Sequence, residues 1–282
     1  MAKNSSIEWT DHTFNPWWGC AKVSPGCNNC YAETWARRVG LQLWGTQKDR
    51  RFFTDKHWNE PLKWNIEAQI EGRRKRVFCA SMADVFEART DLNVWRERLW
   101  LLIKQTPWLD WLLLTKRPQN IELMSPWKKD WPENIWLGTT VEDQIRAKER
   151  LKHLLKHQVK ARFLSCEPLV GSVDLNPWIK KRQKDLLPID WVIAGGESGP
   201  GARPMLPSWA RNLRDQCQKA GVPFHFKQWG HWAPTERKNE SATVRKFWDE
   251  VSGEEILMEA KGKKEAGRRL DGITWDELPK AA

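Results

Sequence analysis

The sequence of 282 residues contains no apolar run that approaches the ~20 residues needed to cross a bilayer, and it does not begin with the apolar core of a secretory signal. We therefore expect a cytoplasmic protein with no membrane partner. Because thiols stay reduced in the cytoplasm, the six cysteines are expected to serve a metal site or catalysis rather than disulfides.

Motifs of several large enzyme classes are also missing. The chain has no Gly-x4-Gly-Lys-Ser/Thr loop, no Gly-x-Ser-x-Gly turn and no His-Glu-x-x-His pair. Nucleoside triphosphatase, esterase and zinc-protease functions are therefore unsupported.

Acidic residues and tyrosine are scarce. Asp and Glu number 36 against 47 Lys and Arg, which gives a net charge of +11 and a pI of about 9.4. This excess favours a polyanionic partner such as nucleic acid, although solubility alone would also account for it. Basic clusters at Arg73–Arg76 and Lys180–Lys184 are either solvated faces or phosphate contacts.

The sequence contains a single Tyr and 21 Trp. Most of the tryptophans are expected in the core. A few would suit base stacking, but the sequence does not indicate which.

Apolar strand-like runs alternate with amphipathic helical segments along the chain. Strands are expected near Thr13–Trp18, Arg76–Ser81, Trp111–Thr115, Ile135–Thr140, Arg162–Ser165, Trp191–Gly195 and Pro223–Lys227, and helices near Tyr31–Leu43, Leu92–Gln105, Val141–His157 and Ser208–Ala220. This alternation predicts an α/β fold, a partial or complete (β/α) TIM-like barrel of about six to eight strands, with a doubly wound open sheet as the alternative. The barrel is expected to span residues 1–232. Residues 233–282 are expected to form a small basic C-terminal extension with two short strands, around Phe247–Trp248 and Glu255–Met258.

Polar residues recur where each apolar run stops. They are Cys20, Ser81, Asp84, Lys116, Arg117, Thr139, Thr140, Glu167, Glu197, Ser198, Lys227 and Gln228. The carboxyl ends of barrel strands meet at one rim, where such folds carry their sites, so we expect these side chains to form one site. Lys116 and Arg117 would give that site positive charge for a carboxylate or phosphate. Arg203, on a loop rich in Gly and Pro, is either a phosphate contact or part of an ordinary surface turn.

Three cysteines, Cys20, Cys27 and Cys30, lie close together with the spacing C-x6-C-x2-C. Zinc would require a fourth ligand, for which His12 is the nearest candidate, but no second pair of ligands is recognisable. A four-iron cluster needs one thiolate at each iron unless one iron is reserved for another ligand. Three thiolates with a vacant iron is the arrangement that chelates S-adenosylmethionine, a cofactor of radical chemistry. Cys79 and Cys166 lie within apolar runs and are expected to be buried, and Cys217 is isolated.

The chain resembles a phage-associated family of the Gp37/Gp68 type. The resemblance rests on seven ordered blocks: Asn15–Cys20, Gly26–Ala32, Leu113–Pro118, Gly138–Glu142, Ser165–Leu169, Ala194–Gly199 and Phe226–Gly230. It is similar, more distantly, to radical S-adenosylmethionine enzymes of the spore photoproduct lyase-like branch. There, too, a cysteine cluster followed by Tyr opens a partial barrel, and a Thr-Lys pair ends the third strand. Most of that superfamily has C-x3-C-x2-C, so the first gap here is three residues longer.

This resemblance implies a [4Fe-4S] cluster held by Cys20, Cys27 and Cys30, with Tyr31 at its edge. It implies reductive cleavage of S-adenosylmethionine to methionine and a 5′-deoxyadenosyl radical, with electrons from an external donor. The substrate would be a nucleic acid or nucleotide, for repair or base modification, and a partner protein is possible. The alternative is a zinc-dependent nucleic-acid-binding protein that uses the same cysteines structurally.

The resemblance also assigns expected roles to individual residues. Gly195, Gly196 and Glu197 are similar to the Gly-Gly-Glu element that receives the amino group of the cofactor, although two glycines also fit a tight turn. Ser81 or Asp84 is the other candidate for that role. Glu142 and Glu167 would bind the ribose or amino group, or pair with a neighbouring cation. Thr139 is placed with the cofactor-binding residues, and Lys116, Arg117, Arg203, Lys227 and Gln228 with substrate binding or catalysis.

Overall fold

All seven predicted strands of the barrel form, and they lie side by side in one sheet. The computed structural model describes residues 3–179, 187–237 and 239–279. Its strands are β1 (His12–Thr13), β2 (Lys75–Cys79), β3 (Leu109–Thr115), β4 (Ile135–Thr140), β5 (Ala161–Cys166), β6 (Trp191–Gly195) and β7 (Phe224–Gln228). The order in the sheet is the order in the chain, and each neighbouring pair is parallel. A doubly wound sheet reverses its strand order, so the sequential order corresponds to a curled half-barrel, the predicted partial (β/α) barrel.

The connections between these strands carry helices. They are α1 (Tyr31–Arg38), α2 (Asp55–Trp58), α3 (Glu60–Ile70), α4 (Asn93–Gln105), α5 (Ile121–Met124), α6 (Gln144–Leu154), α7 (Asn176–Ile179), α8 (Pro207–Ala220) and α9 (Lys263–Ala266). The four predicted helices are α1, α4, α6 and α8, and α1 and α6 are shorter than expected. Asp143 caps the start of helix α6, because its carboxylate accepts a hydrogen bond from the Arg146 amide at 2.8 Å. Among the helices described, none has the length and apolar composition of a membrane span.

Strand β1 is shorter than the predicted Thr13–Trp18. Pro16 has no amide hydrogen to donate to a neighbouring strand. Trp18 instead donates its amide hydrogen to the Arg51 carbonyl at 2.9 Å, and Gly19 donates to the Met82 carbonyl at 3.0 Å. The segment that leads to the first cysteine is therefore fixed by loop contacts rather than by the sheet.

Aromatic side chains fill the half-barrel toward the amino ends of its strands. The buried cluster there consists of Trp9, Phe78, Leu112, Trp136, Ala161, Phe163, Trp191 and Ile193. Gly138 on β4 leaves room for this layer, because a Cβ at that position would lie 2.3 Å from the Phe163 ring. The interior is thus packed at one end and open only toward the carboxyl ends of the strands.

The C-terminal residues form a second, antiparallel sheet. Its strands are β8 (Trp232–Pro234), β9 (Val244–Asp249) and β10 (Glu254–Ala260), in the order β8-β10-β9. The chain then returns to the edge of β7, where Phe226 donates to the Trp275 carbonyl at 2.9 Å and Trp229 donates to the Gly267 carbonyl at 3.1 Å. Leu270 is fully buried in the main core. The tail therefore covers the last strand of the half-barrel, and the boundary at residue 232 stays a prediction.

Candidate active site

A cavity of about 430 Å³ opens at the carboxyl ends of the parallel strands. Trp9, Phe78 and Leu114 contribute apolar side chains to its lining, and the polar residues that follow β2 to β7 contribute the rest. Its volume lies within the range of small-molecule sites, and its place is the one where (β/α) barrels carry their chemistry.

Most of the predicted site residues meet in this cavity. Those that line it are Cys20, Cys27, Cys30, Tyr31, Ser81, Asp84, Lys116, Arg117, Glu167, Gly196, Glu197, Lys227 and Gln228. Four others, Thr139, Glu142, Gly195 and Arg203, lie behind the lining rather than in it. The strand-end reasoning therefore located the site but did not resolve which side chains face it.

The three clustered cysteines are free thiols that share the cavity lining. Burial raises the pKa of Cys20 to about 12, although the nearby Arg117 guanidinium opposes this shift. Within the described parts of the chain, no three His, Cys, Asp or Glu side chains are close enough together to hold a metal ion as they stand. His12, the candidate fourth zinc ligand, does not line the cavity: its ring stacks on Trp64 with centroids 4.5 Å apart.

Arg117 fixes the start of the cysteine loop, which we define as Cys20–Cys30. Its Nη2 donates to the Ala21 carbonyl at 2.8 Å, and its Nη1 lies 3.7 Å from Cys20 Sγ and 2.9 Å from Asp84 Oδ2. Asp84 also accepts hydrogen bonds from the Thr115 hydroxyl at 2.7 Å and the Lys116 amide at 3.0 Å. Its guanidinium thus joins the end of β3 to the cysteine loop, and its predicted contact with an anionic substrate stays a prediction.

A second arginine fixes the middle of the same loop. Arg203 Nη2 donates to the Pro25 carbonyl at 2.8 Å and pairs with Glu197 Oε1 at 2.6 Å. Asn29 donates to Glu197 Oε2 at 2.9 Å and to the Gly201 carbonyl at 2.8 Å. Burial alone would raise the pKa of Glu197, but the donors on Arg203 and Asn29 hold it below its usual range. Arg203 therefore fixes the cysteine loop from outside the cavity lining, and its predicted phosphate contact stays a prediction.

Glu167 is held by the two residues that end β7. Lys227 Nζ lies 2.8 Å from Glu167 Oε1, and Gln228 Nε2 donates to the same oxygen at 3.1 Å. Gly195 leaves space for the Glu167 carboxylate, since a Cβ on residue 195 would lie 3.3 Å from Glu167 Cδ. Gly196 is required by backbone packing, because its Cβ would lie 1.8 Å from the Trp229 carbonyl oxygen. The two glycines are thus explained by close approach of β6, β5 and β7.

Lys116 places a cation at the cavity beside Thr140. Its Nζ donates to the Thr140 hydroxyl at 3.1 Å, and among the residues described no carboxylate lies within 4.0 Å of it. Thr140 lines the cavity, whereas Thr139 points away and donates to the Thr115 carbonyl at 2.8 Å. Successive residues of a strand face opposite sides, so of the two predicted threonines Thr140 is the one that faces the cavity.

Glu142 lies beneath the cysteine loop rather than in the cavity. It pairs with Arg150, so the ion-pair interpretation of this residue applies. Burial alone would raise the pKa of Glu142, but the charges of Arg150 and Lys116 hold that pKa below its usual range. Gly26 packs directly on this carboxylate, where a Cβ would approach to 3.1 Å.

Two residues of the site were missed by sequence reasoning. Asn29 had a recognisable signal, since it lies within the cysteine run. Lys263 on α9 also lines the cavity, although it belongs to the C-terminal tail. No sequence signal placed the tail at the cavity, because its return to β7 depends on long-range contacts.

The chain matches a family model described as "Protein of unknown function (DUF5131)" over residues 4–279. It belongs to this family. Membership of the Gp37/Gp68-type phage family stays an expectation from the sequence. Among proteins of curated function, none matches the chain in sequence.

Distantly similar solved structures include three of spore photoproduct lyase. A cysteine-to-serine mutant is 11% identical with a TM-score of 0.48, covering 91% of this chain and 71% of that chain. A tyrosine-to-phenylalanine mutant is 10% identical with a TM-score of 0.44, covering 87% and 67%. A cysteine-to-alanine mutant with dinucleoside spore photoproduct is 11% identical with a TM-score of 0.43, covering 88% and 67%.

Proposed function

We propose that this protein is an iron–sulfur enzyme of the radical S-adenosylmethionine type. The observation that carries the proposal is that Cys20, Cys27 and Cys30 line the same strand-end cavity as Lys116 and Glu167. The cavity thereby brings the three thiols together with a lysine that has no carboxylate partner and with a carboxylate bound by Lys227 and Gln228. Enzymes built on (β/α) barrels carry their sites at this end of the strands.

The donor set suits a four-iron cluster better than a single zinc ion. Zinc would draw its sulfur ligands to ~2.3 Å from one common centre, with a fourth ligand to complete the tetrahedron. The thiols do not meet in this way among the described residues, and His12 is packed elsewhere. In a cluster each thiolate binds a different iron, so the sulfurs need not share a centre. Cys20, Cys27 and Cys30 would hold three irons and leave the fourth for a small molecule.

When bound, a reduced cluster and S-adenosylmethionine supply one-electron chemistry that ends in abstraction of hydrogen from a substrate. The protein contributes position and environment. Arg117 and Arg203 hold the cysteine loop, and the Trp9 and Phe78 side chains exclude water from part of the cavity. Lys116 offers its charge to the carboxylate of the cofactor or to a phosphate of the substrate.

The charge of the cavity and of the whole chain favours a nucleic acid or nucleotide as substrate, for repair or base modification. Lys116, Lys227 and Lys263 all line the cavity, and the net charge is +11. A positive cleft attracts phosphates and raises their local concentration. An external electron donor is required by the chemistry.

The test is anaerobic reconstitution of the wild type, Cys27→Ala and Cys217→Ala. Cys217 is a buried free thiol that does not line the cavity, so it serves as the matched control. We expect brown wild-type and Cys217→Ala protein with near-equal iron and sulfide, and little of either in Cys27→Ala. Incubated with reductant and S-adenosylmethionine, only the first two should release 5′-deoxyadenosine. Colourless protein with one zinc, or an intact cluster in Cys27→Ala, would contradict the proposal.

A further inference from the structure

Helix α1 carries an exposed apolar stripe that its packing does not require. Ala32 and Ala36 form its buried side, whereas Tyr31, Trp35 and Val39 are 54%, 43% and 51% exposed. Residues four apart lie on the same face of a helix, so these three side chains form one row. The row begins directly after Cys30 and presents two aromatic rings to solvent.

The row continues into a second group of rings outside the helix. Trp35 meets Trp18 with ring centroids 5.1 Å apart, and Trp18 meets Phe53 at 5.3 Å. The Arg51 guanidinium lies over Trp18 at 4.7 Å and over Phe53 at 5.7 Å. We call Tyr31, Trp35, Trp18, Phe53 and Arg51 the aromatic strip.

One end of the aromatic strip reaches the cavity. Tyr31 belongs to the cavity lining, and its hydroxyl donates to the Ser81 carbonyl at 2.8 Å. A ligand at the cavity mouth therefore meets Tyr31, one helical turn before Trp35.

The charge next to the strip is positive. Within the described residues, Arg51 forms no ion pair with a carboxylate, so its charge is available to a ligand. The predicted basic cluster Arg73–Arg76 offers no such surface, because it is paired with Asp11, Glu71 and Asp110. The other predicted cluster, Lys180–Lys184, lies outside the described residues.

We propose that the aromatic strip binds the bases of a single-stranded nucleic acid whose neighbouring nucleotide enters the cavity. Tyr31 and Trp35 are the exposed rings of the strip, and Trp18 and Phe53 are partly buried beside them. Exposed aromatic rings next to an arginine are the surface that unpaired bases stack on, whereas a duplex keeps its base faces stacked internally. Of the 21 tryptophans, this proposal assigns Trp18 and Trp35 to the surface on which bases stack. The inference builds on the proposed function by naming the strandedness of the substrate, and it makes Trp35 and Arg51 substrate-positioning residues.

The experiment measures fluorescence anisotropy of labelled 15-mers: single-stranded DNA, the same sequence as RNA, and duplex DNA. The proteins are wild type, Trp35→Ala, Arg51→Gln and Trp248→Ala. Trp248 is 63% exposed on β9, away from the strip, and is the matched control. We expect single strands to bind more tightly than duplex, and Trp35→Ala to weaken single-strand binding roughly tenfold. Arg51→Gln should lower the salt slope by ~1, and Trp248→Ala should match the wild type.

The outcomes separate this inference from the proposed function. Single-strand binding that persists in cluster-free Cys27→Ala supports the strip whatever the cofactor proves to be, and the DNA and RNA arms identify the polymer. If a cluster-loaded wild type binds no single strand, or binds duplex equally well, the proposed binding role of the strip is wrong. The proposed function is not contradicted by that result. Self-association that Trp35→Ala abolishes, seen by light scattering without strand binding, would assign the strip to a second copy of the chain and overturn the inference.

Discussion

Replacing Arg117 with Met should release the start of the cysteine loop. The side chains of Arg117 and Asp84 are only 8% and 7% exposed, and Arg117 also donates to the Ala21 carbonyl. Met retains much of the apolar volume of the arginine but neither its charge nor its donors. Asp84 would keep the Thr115 hydroxyl and the Lys116 amide as donors.

The structure sets two magnitudes for this change. Removing one partner of a buried ion pair costs 3–5 kcal/mol in general, and the remaining donors to Asp84 place the loss of unfolding free energy near the lower end, at about 3 kcal/mol. The bond to the Ala21 carbonyl comes from a charged donor, whose loss should lower the local opening free energy of the loop by about 2 kcal/mol. Amide hydrogen exchange within Cys20–Cys30 should therefore accelerate roughly 30-fold.

Arg162→Met provides a matched control. Arg162 is also buried, pairs with Asp190 at 2.6 Å, and donates to the Pro188 carbonyl at 2.8 Å, but it lies near the amino end of β5, at the other end of the strand from the cavity. Both variants should lose similar unfolding free energy in urea. Only Arg117→Met should show faster exchange in the cysteine loop and lower iron content after anaerobic reconstitution. Equal loop exchange in the two variants would refute the assignment of Arg117 as the anchor of the loop.

The remaining predictions concern other parts of the cavity and core. Lys116→Met should leave the unfolding free energy nearly unchanged, because no ion pair is lost, yet weaken S-adenosylmethionine binding to reconstituted protein roughly tenfold by calorimetry; unchanged affinity would refute its role. Burial lowers the pKa of His225 to about 4, so the unfolded chain takes up the proton first as pH falls below 6.5. His225 should therefore lower the unfolding free energy, measured in urea, by about 1.2 kcal/mol at pH 5.5 relative to pH 7. The His225→Gln variant should lack this contribution. Gly196→Ala should cost about 3 kcal/mol through its clash with Trp229, whereas Gly171→Ala, with ordinary 3.4 Å contacts, should be nearly neutral in the same assay.

The sequence predicted the half-barrel well because each strand is a short apolar run with a clear end. β3 and β6 are almost entirely buried, so their apolar residues stand out against the polar residues that follow. Helix α3 was missed although it has eleven residues. Pro61 lies near its start, a position where the first turn of a helix tolerates proline.

The site was predictable in position but not in the role of its charged residues. Parallel strands bring their carboxyl ends together, which placed Lys116, Glu167 and Lys227 in one cavity. Arg117 and Ala21 are 96 residues apart in the chain, and Arg203 and Pro25 are 178 apart. No local pattern reveals that an arginine donates to a carbonyl so distant in sequence, so neither contact with the cysteine loop was predicted.

The two arginines also hold the loop between the first two cysteines near both of its ends. The six residues between Cys20 and Cys27 include both carbonyls that the arginines bind, Ala21 and Pro25. Each arginine is neutralised by a buried carboxylate, so neither anchor leaves an unpaired charge beneath the loop. A longer loop without anchors would cost more conformational entropy to order for metal binding. With an anchor near each end of the gap, the residues between Cys20 and Cys27 are held in the free protein, and the thiols remain at the cavity.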